Sequence, residues 1–405
     1  MTTARVRRRV LPASVVCTML LAAGCGGAAS APPPATEPGP PAYAAVLQPQ
    51  LEALATDLLV TGAVVMVRSP ERGDWTMTYG TRTYKGNDPV QVGDHVRVGS
   101  NTKPMTGTVI LQLVQEGKLS LDDPVSKFRP DVPNGANITI RQLMEMRSGL
   151  YNYSTAPELN RAQDSTPERV YTPDELLAMA FERPPLYRPG QGWNYSNTNF
   201  VLLGLIIEKL TGRTAAEEFQ SRIFGPLGMT GSTLPAATDA SIPDPHPHGY
   251  TYGTNVQTID TNVLPENIQA QAKAATLAPM DVTTVNPSWA WTAGSANSTA
   301  GDLVKFVQAL GGGGLLSPAM QKQRLDSMQP TVSGNPASPG YGLALAKLGS
   351  LYGHTGEIPG YNSFMGYDPD RKITVVVWAT NAPSPNGDAP ATELAKVIIS
   401  NLYGS

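Results

Sequence analysis

The stretch from Val98 to Met105 places a serine and a lysine three residues apart, at Ser100 and Lys103. The stretch starts as apolar, strand-like sequence and continues with helical spacing, so both side chains are predicted on one helix face, one turn apart. A lysine there can act as a base toward the hydroxyl if burial lowers its pKa, and the helix N-terminus favours the developing negative charge. The spacing alone is weak evidence, because it also arises by chance.

Two further groups of residues strengthen this interpretation. In Tyr195-Ser196-Asn197, a phenol near an ammonium group can shuttle a proton, and an amide can orient the lysine and a substrate carbonyl. His354-Thr355-Gly356 opens a predicted C-terminal strand, where the glycine allows a substrate to approach the backbone closely. Taken singly, Tyr195 could be a buried tyrosine, Asn197 a helix cap and His354 a core histidine. Their order, on a helix start, a loop and a strand, favours one shared site.

The predicted elements explain how such distant residues could meet. Residues 62–68 and 75–79 predict a β-hairpin near the N-terminus, and residues 354–367 and 373–379 predict strands near the C-terminus. Helices are predicted between and beside them, with the longest loop at residues 234–287; their ranges are 50–59, 105–115, 139–146, 173–181, 199–210, 215–224, 299–310 and 391–402. Strands from both ends that flank a helical middle predict one antiparallel sheet beside a helical subdomain, with a site in the cleft between them.

The order Ser-x-x-Lys, Tyr-x-Asn, His-Thr-Gly resembles the serine β-lactamase and penicillin-binding protein superfamily, whose signatures are SxxK, YxN or SxN, and KTG or HTG. The histidine in the third motif is similar to that of secreted D-alanyl-D-alanine carboxypeptidases related to class C β-lactamases. The resemblance spans nearly the whole folded body, through Val98-Gly-Ser100, Leu111-Gln-Leu-Val-Gln-Glu-Gly-Lys-Leu119, Arg147-Ser-Gly-Leu-Tyr151, Tyr195-Ser-Asn-Thr-Asn-Phe200, Glu208-Lys-Leu-Thr-Gly212 and Tyr352-Gly-His-Thr-Gly356. It implies an α+β, β-lactamase/transpeptidase-like fold.

The resemblance also implies a role for each residue of the motifs. Ser100 would attack a carbonyl and become acylated, while Lys103 and Tyr195 pass its proton to the leaving amine. Asn197 would hold Lys103 and the amide of the substrate. The backbone N–H groups of Ser100 and Glu357 would form the oxyanion hole.

Four more residues are implied in substrate binding: Thr355 and Gly356 in the third motif, Trp289 and Ser154. Trp289 resembles an aromatic residue that lines the cleft of the family, although an ordinary packed tryptophan explains it equally well. His354 stands where many relatives have a lysine, so its charge state bears on Tyr195.

The sequence departs from the carboxypeptidase pattern at Glu357. Relatives recognise the terminal carboxylate of the substrate with a threonine after the third motif and an arginine before it. Residues 341–351 contain no arginine, only Lys347, and a carboxylate at position 357 would repel that end of a substrate. The leading interpretation is a penicillin-binding D,D-peptidase of peptidoglycan. The alternatives are an esterase or D-amino-acid amidase on the same scaffold, then a β-lactamase, then a catalytically inactive protein that binds peptidoglycan or a partner.

The N-terminus reads as an export signal. Four arginines precede an apolar run, and Leu20-Leu21-Ala22-Ala23-Gly24-Cys25 resembles a bacterial lipobox, with a plain signal peptide as the alternative. The predicted organisation is a signal at residues 1–24, a tether rich in Ala, Pro and Gly at 25–42, and a serine hydrolase domain at 43–405. The sequence thus predicts an exported envelope protein, anchored by lipid on Cys25 to the outer face of the cytoplasmic membrane.

Composition limits the partners. Removing the four leader arginines leaves 26 basic against 33 acidic side chains, a balance of −7, which argues against nucleic acid. The two cysteines, Cys17 and Cys25, lie in or next to the leader, so no disulfide is predicted. The histidines of His246-Pro247-His248 lack the ligand spacing of a metal site, and neither a metal nor an organic cofactor is predicted. The expected partners are a peptidoglycan stem peptide or another small acyl substrate, with β-lactams as acylating inhibitors.

Overall fold

The structure, a computed structural model, describes residues 39–332, 334–335 and 338–404. The predicted signal, Cys25 and most of the tether lie outside these residues. The strands run through the chain as β1 Gly62–Arg68, β2 Trp75–Gly80, β3 His95–Arg97, β4 Tyr250–Thr251, β5 Met280–Asp281, β6 Asn297–Thr299, β7 Gln329–Pro330, β8 Gly340–Gly342, β9 Leu345–Leu348, β10 Leu351–Ile358, β11 Tyr361–Asp368 and β12 Ile373–Thr380.

The helices cover the two faces of the sheet and fill the middle of the chain. They are α1 Ala42–Asp57, α2 Thr102–Gln115, α3 Ile140–Met144, α4 Pro157–Ser165, α5 Pro173–Phe181, α6 Asn197–Thr211, α7 Ala215–Phe219, α8 Gly225–Leu227, α9 Asn255–Thr258, α10 Glu266–Lys273, α11 Trp291–Gly294, α12 Ala300–Gly312, α13 Pro318–Asp326 and α14 Pro390–Tyr403. Within the described residues, none of the helices combines the length and apolar character that crossing a bilayer requires.

The main sheet has eight antiparallel strands in the order β2-β1-β12-β11-β10-β9-β8-β7. The two ends of the chain meet where β1 pairs with β12, with Gly62 opposite Thr380. This confirms the predicted α+β fold, with one antiparallel sheet built from N- and C-terminal segments beside a helical region. The described residues from Pro40 onward form a single compact unit.

Strand β12 is apolar along most of its length because both faces of the sheet are covered. Val375 and Val377 pack into the core that includes residues of α1 and α14, while Val376 and Trp378 pack into the core on the opposite face. Successive side chains of a strand point to opposite faces, so a strand buried on both sides needs apolar residues at nearly every position.

Some predicted boundaries were wrong. Helix α1 begins at Ala42, eight residues before the predicted start, and continues through Pro49, because Leu47 and Leu51 on either side of the proline are fully buried. Predicted strand 354–367 is two strands separated by Pro359 and Gly360, where Gly360 has φ +86 and permits a tight turn. The predicted loop 234–287 contains β4, β5, α9 and α10.

Candidate active site

Ser100 lies in the short 3-10 turn Gly99–Asn101, directly before α2. Gly99 has φ +53, a conformation that favours glycine, and it brings the chain into the helix with the Ser100 hydroxyl facing the cleft. Lys103 Nζ lies 2.8 Å from Ser100 Oγ. The predicted arrangement of this pair at a strand-to-helix junction is therefore present.

Lys103 is fully buried, and no carboxylate of the described residues pairs with it. Its amine donates to Asn197 Oδ1 at 2.7 Å and to the carbonyl oxygen of Ala293 at 2.7 Å. Burial without a counter-charge lowers the pKa of Lys103 well below its ordinary value. A neutral amine at 2.8 Å can accept the Ser100 proton, which is the property required of a base.

Tyr195 is the second group on the nucleophile. Its hydroxyl donates to Ser100 Oγ at 2.7 Å, and its ring centroid lies 4.7 Å from Lys103 Nζ. Burial raises the pKa of Tyr195 above its ordinary value, an effect that the hydrogen bond to Ser100 partly opposes. The phenol is thus held protonated beside the atom whose proton must move.

A chain of amides and hydroxyls fixes the orientation of Asn197. Asn197 Nδ2 donates to Ser154 Oγ at 3.0 Å, which leaves Oδ1 to face Lys103. Asn152 Oδ1 accepts from Ser154 Oγ at 3.0 Å and from the Asn197 backbone N–H at 3.0 Å. Asn197 is the first residue of α6, and Ser196 precedes it at the cap position. Neither Asn152 nor the Ala293 carbonyl belongs to a recognisable motif, so the sequence did not predict their part in the site.

The register of β10 shows which backbone groups face the nucleophile. Ile358 and Tyr361 are the paired residues that close the hairpin between β10 and β11. Along an antiparallel strand, every second residue directs its N–H and C=O groups to the same neighbouring strand. The N–H groups of Thr355 and Glu357 therefore point away from β11. Strand β9 pairs only as far as Gly353, so beyond it this edge of β10 is open. The turn that carries Ser100 packs against that edge.

Two glycines make the close approach possible. A methyl group built on Gly99 would lie 2.5 Å from the backbone nitrogen of Glu357, and one built on Gly356 would lie 2.0 Å from the carbonyl oxygen of Val98. Both distances are shorter than side chains tolerate. The N–H groups of Ser100 and Glu357 therefore lie on facing backbone segments, as an oxyanion hole requires.

His354 is buried and does not reach the nucleophile. Its Nε2 lies 3.2 Å from the Tyr341 hydroxyl, and its Nδ1 contacts the carbonyl oxygen of Thr355, so Nδ1–H is the donor and Nε2 accepts from the tyrosine. Burial lowers the pKa of His354 to about 3. A neutral imidazole 6.2 Å from Tyr195, measured between ring centroids, places no cation beside the phenol.

The side chains of Thr355 and Glu357 project from β10 into the cleft, and both are exposed there. Asn362 Nδ2, on the neighbouring strand, donates to Glu357 Oε2 at 3.0 Å. The walls of the cleft desolvate the carboxyl and raise the pKa of Glu357 to about 7, against the smaller effect of the Asn362 hydrogen bond. This carboxyl is the feature of the site that departs most from the family pattern.

The cleft continues into a cavity of about 660 Å³ that Ser100, Ser154, Tyr195, Asn197 and Trp289 line. Trp289 is half-buried in this wall, and Tyr153 fixes its backbone by donating to its carbonyl oxygen at 2.6 Å. The far wall comes from α4 and from the segment between β4 and β5, where the sequence predicted only loop. Among the described residues that line the cavity there are three carboxylates and no lysine or arginine; the carboxylates are Asp164, Asp281 and Glu357.

The two histidines of the segment His246-Pro247-His248 lie next to carboxylates. His246 Nδ1 lies 3.0 Å from Asp244, and His248 Nδ1 lies 2.6 Å from Asp281. In the part of the chain that the structure describes, no three His, Cys, Asp or Glu side chains are grouped so as to hold a metal ion.

Fold and site together define an acyl-serine hydrolase of the β-lactamase and penicillin-binding type. The family model described as Beta-lactamase matches residues 50–398, so the chain belongs to the beta-lactamase family. Penicillin-binding protein 4* of Bacillus subtilis (strain 168) is 26% identical over 338 residues, which cover 82% of this chain and 70% of that protein.

Solved structures give the same fold. A D-stereospecific amidohydrolase from Streptomyces sp. superimposes with a TM-score of 0.73 at 33% identity, covering 89% of this chain and 99% of that one. The D-amino acid amidase from Ochrobactrum anthropi SV3, complexed with L-phenylalanine amide, gives a TM-score of 0.71 at 25% identity. The match covers 88% of this chain and 97% of the amidase chain.

Proposed function

We propose that this serine hydrolase is a penicillin-binding D,D-peptidase of the cell envelope, which cleaves the D-alanyl-D-alanine bond of peptidoglycan stem peptides. The observation that carries the proposal is the contact of the Ser100 hydroxyl with both Lys103 Nζ at 2.8 Å and the Tyr195 hydroxyl at 2.7 Å. The likeness to penicillin-binding protein 4* supports the substrate class.

In the proposed reaction, Ser100 Oγ attacks the scissile carbonyl carbon while Lys103 takes up the serine proton. The carbonyl oxygen becomes an oxyanion held by the N–H groups of Ser100 and Glu357. The Tyr195 hydroxyl and the Lys103 amine both contact Ser100 Oγ, so Tyr195 gives its proton to the leaving nitrogen as the C–N bond breaks and takes up in exchange the proton that Lys103 holds. Water then attacks the acyl-serine ester, and Ser100 regains its proton as the acid is released.

Labelling with a fluorescent penicillin tests the acyl-serine step. We expect a covalent adduct on the wild-type protein that intact mass measurement assigns to Ser100, and no adduct on Ser100→Ala. Ser165→Ala, at an exposed serine outside the site, serves as the matched control and should label normally. A wild-type protein that stays unlabelled by penicillin and by D-alanyl-D-alanine peptides would contradict the proposal.

One observation favours a second candidate, a D-amino-acid amidase. The described lining of the cavity has Glu357 and no basic side chain, so nothing there would neutralise the terminal carboxylate of a peptide. The two structural neighbours are a D-stereospecific amidohydrolase and a D-amino acid amidase. Turnover of D-amino-acid amides without cleavage of D-alanyl-D-alanine peptides would establish this candidate instead.

The envelope location is part of the proposal. It rests on the basic start, the apolar run and the lipobox-like Cys25 of the N-terminal segment. If Cys25 carries the anchor, Cys25→Ser expressed in a bacterial host should move the protein from the membrane fraction to the soluble fraction. A wild-type protein already found in the soluble fraction would contradict the anchor.

A further inference from the structure

Glu357 occupies an unusual position, because one residue supplies both a backbone donor to the scissile carbonyl and a carboxyl in the cleft. The Glu357 N–H lies opposite the turn of Ser100, and the side chain opens into the same cavity. A substrate carbonyl bound to the Glu357 N–H is therefore separated from the Glu357 carboxyl only by the length of the glutamate side chain. Any charge that the substrate carries next to its scissile bond must interact with it.

We propose that the Glu357 carboxyl is a charge filter that decides whether the leaving group of the substrate can carry a carboxylate. In its ionised form it repels a leaving group that ends in a carboxylate and admits one that is uncharged or carries an amine. In its protonated form it donates a hydrogen bond to that carboxylate and admits it. The inference rests on the proposed acyl-serine function and names the substrate class of the same site.

The surroundings of Glu357 leave its charge uncompensated. Asn362, which is neutral, donates to Oε2, and no described residue forms an ion pair with the carboxyl. The lysine nearest the nucleophile, Lys103, is fully buried and commits its amine to Ser100, Asn197 and Ala293. An uncompensated carboxylate disfavours a second one at the same place.

The other two carboxylates of the cavity, Asp164 and Asp281, already accept hydrogen bonds from neighbouring groups of the protein. Asp164 accepts the backbone N–H groups of Asn255 at 2.8 Å and Val256 at 3.0 Å. Asp281 lies 2.6 Å from His248 Nδ1 and accepts from the Thr283 hydroxyl at 2.6 Å. Among the described carboxylates of the cavity, Glu357 alone combines exposure to the cleft with a position on the oxyanion-hole residue.

The charge state of Glu357 changes within an accessible pH range. Desolvation in the cleft raises the pKa of Glu357 to about 7, whereas the carboxyl terminus of a peptide, with an ordinary pKa of about 3.5, stays ionised throughout. Of the titratable groups that face the same site, His354 is neutral above about pH 3, and burial keeps Tyr195 protonated. Lys103 has a lowered pKa and acts on every substrate alike.

A matched pair of substrates isolates this effect. The pair is a diacetyl-L-lysyl-D-alanyl-D-alanine peptide and the same peptide with a C-terminal carboxamide, and kcat/KM is measured for both at intervals from pH 5.5 to 8.5. The titration of Lys103 and Tyr195 affects both peptides equally, so it cancels when kcat/KM for the peptide with the free carboxylate is divided by kcat/KM for the carboxamide. We expect this ratio to fall about tenfold or more as pH rises, with a midpoint near 7, since a tenfold change corresponds to about 1.4 kcal/mol of repulsion.

Glu357→Gln removes the charge but keeps the backbone N–H and an oxygen for Asn362, so its ratio should not change with pH. Asp281→Asn is the control, because it neutralises a carboxylate of the same cavity away from the oxyanion hole, and it should retain the wild-type pH dependence. Thermal unfolding verifies that both variants are folded, and labelling by penicillin verifies that Glu357→Gln still acylates.

The outcomes separate the filter from the proposed function. The filter is overturned if Ser100 is acylated but the ratio does not change with pH, or if the ratio changes equally in wild type and Glu357→Gln. Either result leaves the acyl-serine function standing. Failure of wild-type Ser100 to be acylated by both peptides and by penicillin overturns the function and the filter together. Cleavage of the amide peptide alone at pH 8.5 and of both peptides at pH 5.5 supports the filter.

Discussion

Replacing Gly356 with alanine tests whether close backbone packing builds the oxyanion hole. The added methyl group would lie 2.0 Å from the Val98 carbonyl oxygen and 2.4 Å from Ser363 Oγ, whereas an ordinary contact begins at 3.4 Å. The Val98 oxygen belongs to the backbone directly before the turn of Ser100, so it cannot rotate away. Strand β10 must therefore retreat by about 1.4 Å, the difference between the two distances, and carry the Glu357 N–H with it.

The size of the effect follows from this displacement. Loss of one oxyanion-hole donor typically costs about 10²- to 10³-fold in rate, and a misplacement of about 1 Å costs about 10²-fold. We expect Gly356→Ala to acylate about 10²- to 10³-fold more slowly than wild type, and to lose about 1–3 kcal/mol of unfolding free energy through overpacking.

The assay is the time course of labelling by a fluorescent penicillin, combined with thermal unfolding of the same sample. Gly340→Ala is the matched control in the same sheet, because the nearest atom to its methyl group would be 3.6 Å away, an ordinary contact. A folded Gly356→Ala protein that acylates at the wild-type rate would refute the assignment of the Glu357 N–H to the oxyanion hole.

Two more substitutions test the groups around the nucleophile. Burial lowers the pKa of Lys103, so the unfolded chain binds a proton that the folded chain does not, and the free energy of unfolding should rise with pH up to about 10.4. Lys103→Met should remove this dependence of the unfolding free energy on pH, and it should slow acylation by about 10²- to 10⁴-fold. If urea unfolding shows the same dependence on pH in Lys103→Met as in wild type, Lys103 is not a buried neutral amine. Ser154→Ala removes the 3.0 Å hydrogen bond from Asn197 Nδ2, and we expect about tenfold slower acylation, since a neutral hydrogen bond contributes about 0.5–1.5 kcal/mol. A wild-type labelling rate for Ser154→Ala would show that Asn152 alone orients Asn197.

The sequence predicted those parts of the fold and site that local pattern determines. The apolar runs at residues 62–68 and 373–379 predicted β1 and β12 to within one residue, because strands buried on both faces tolerate few polar residues. The motif residues Ser100, Lys103 and Tyr195 were predicted to meet, and in the structure Lys103 Nζ and the Tyr195 hydroxyl oxygen lie 2.8 Å and 2.7 Å from Ser100 Oγ.

What the sequence could not predict depends on tertiary contacts. The Ala293 carbonyl accepts from Lys103 across 190 residues, and any residue type could supply that oxygen. The wall of the cavity at β4, β5 and α9 is made of short polar segments whose periodicity is too brief to recognise. The state of His354 likewise depends on burial and on Tyr341, neither of which the His-Thr-Gly motif specifies.

The electrostatics of the site follow from one physical fact, the burial of its ionisable groups without counter-charges. Burial favours the uncharged form of each group, lowering the pKa of Lys103 and of His354 and raising that of Tyr195. Such a site does not attract a substrate by charge, so its selectivity must come from shape and from the group that still changes charge near neutral pH. Glu357 is that group: desolvation raises its pKa to about 7, its carboxyl lies in the cleft, and its backbone N–H faces the turn of Ser100. In the proposed reaction, this single position of β10 therefore supplies both a hydrogen-bond donor to the oxyanion and the charge that selects the leaving group.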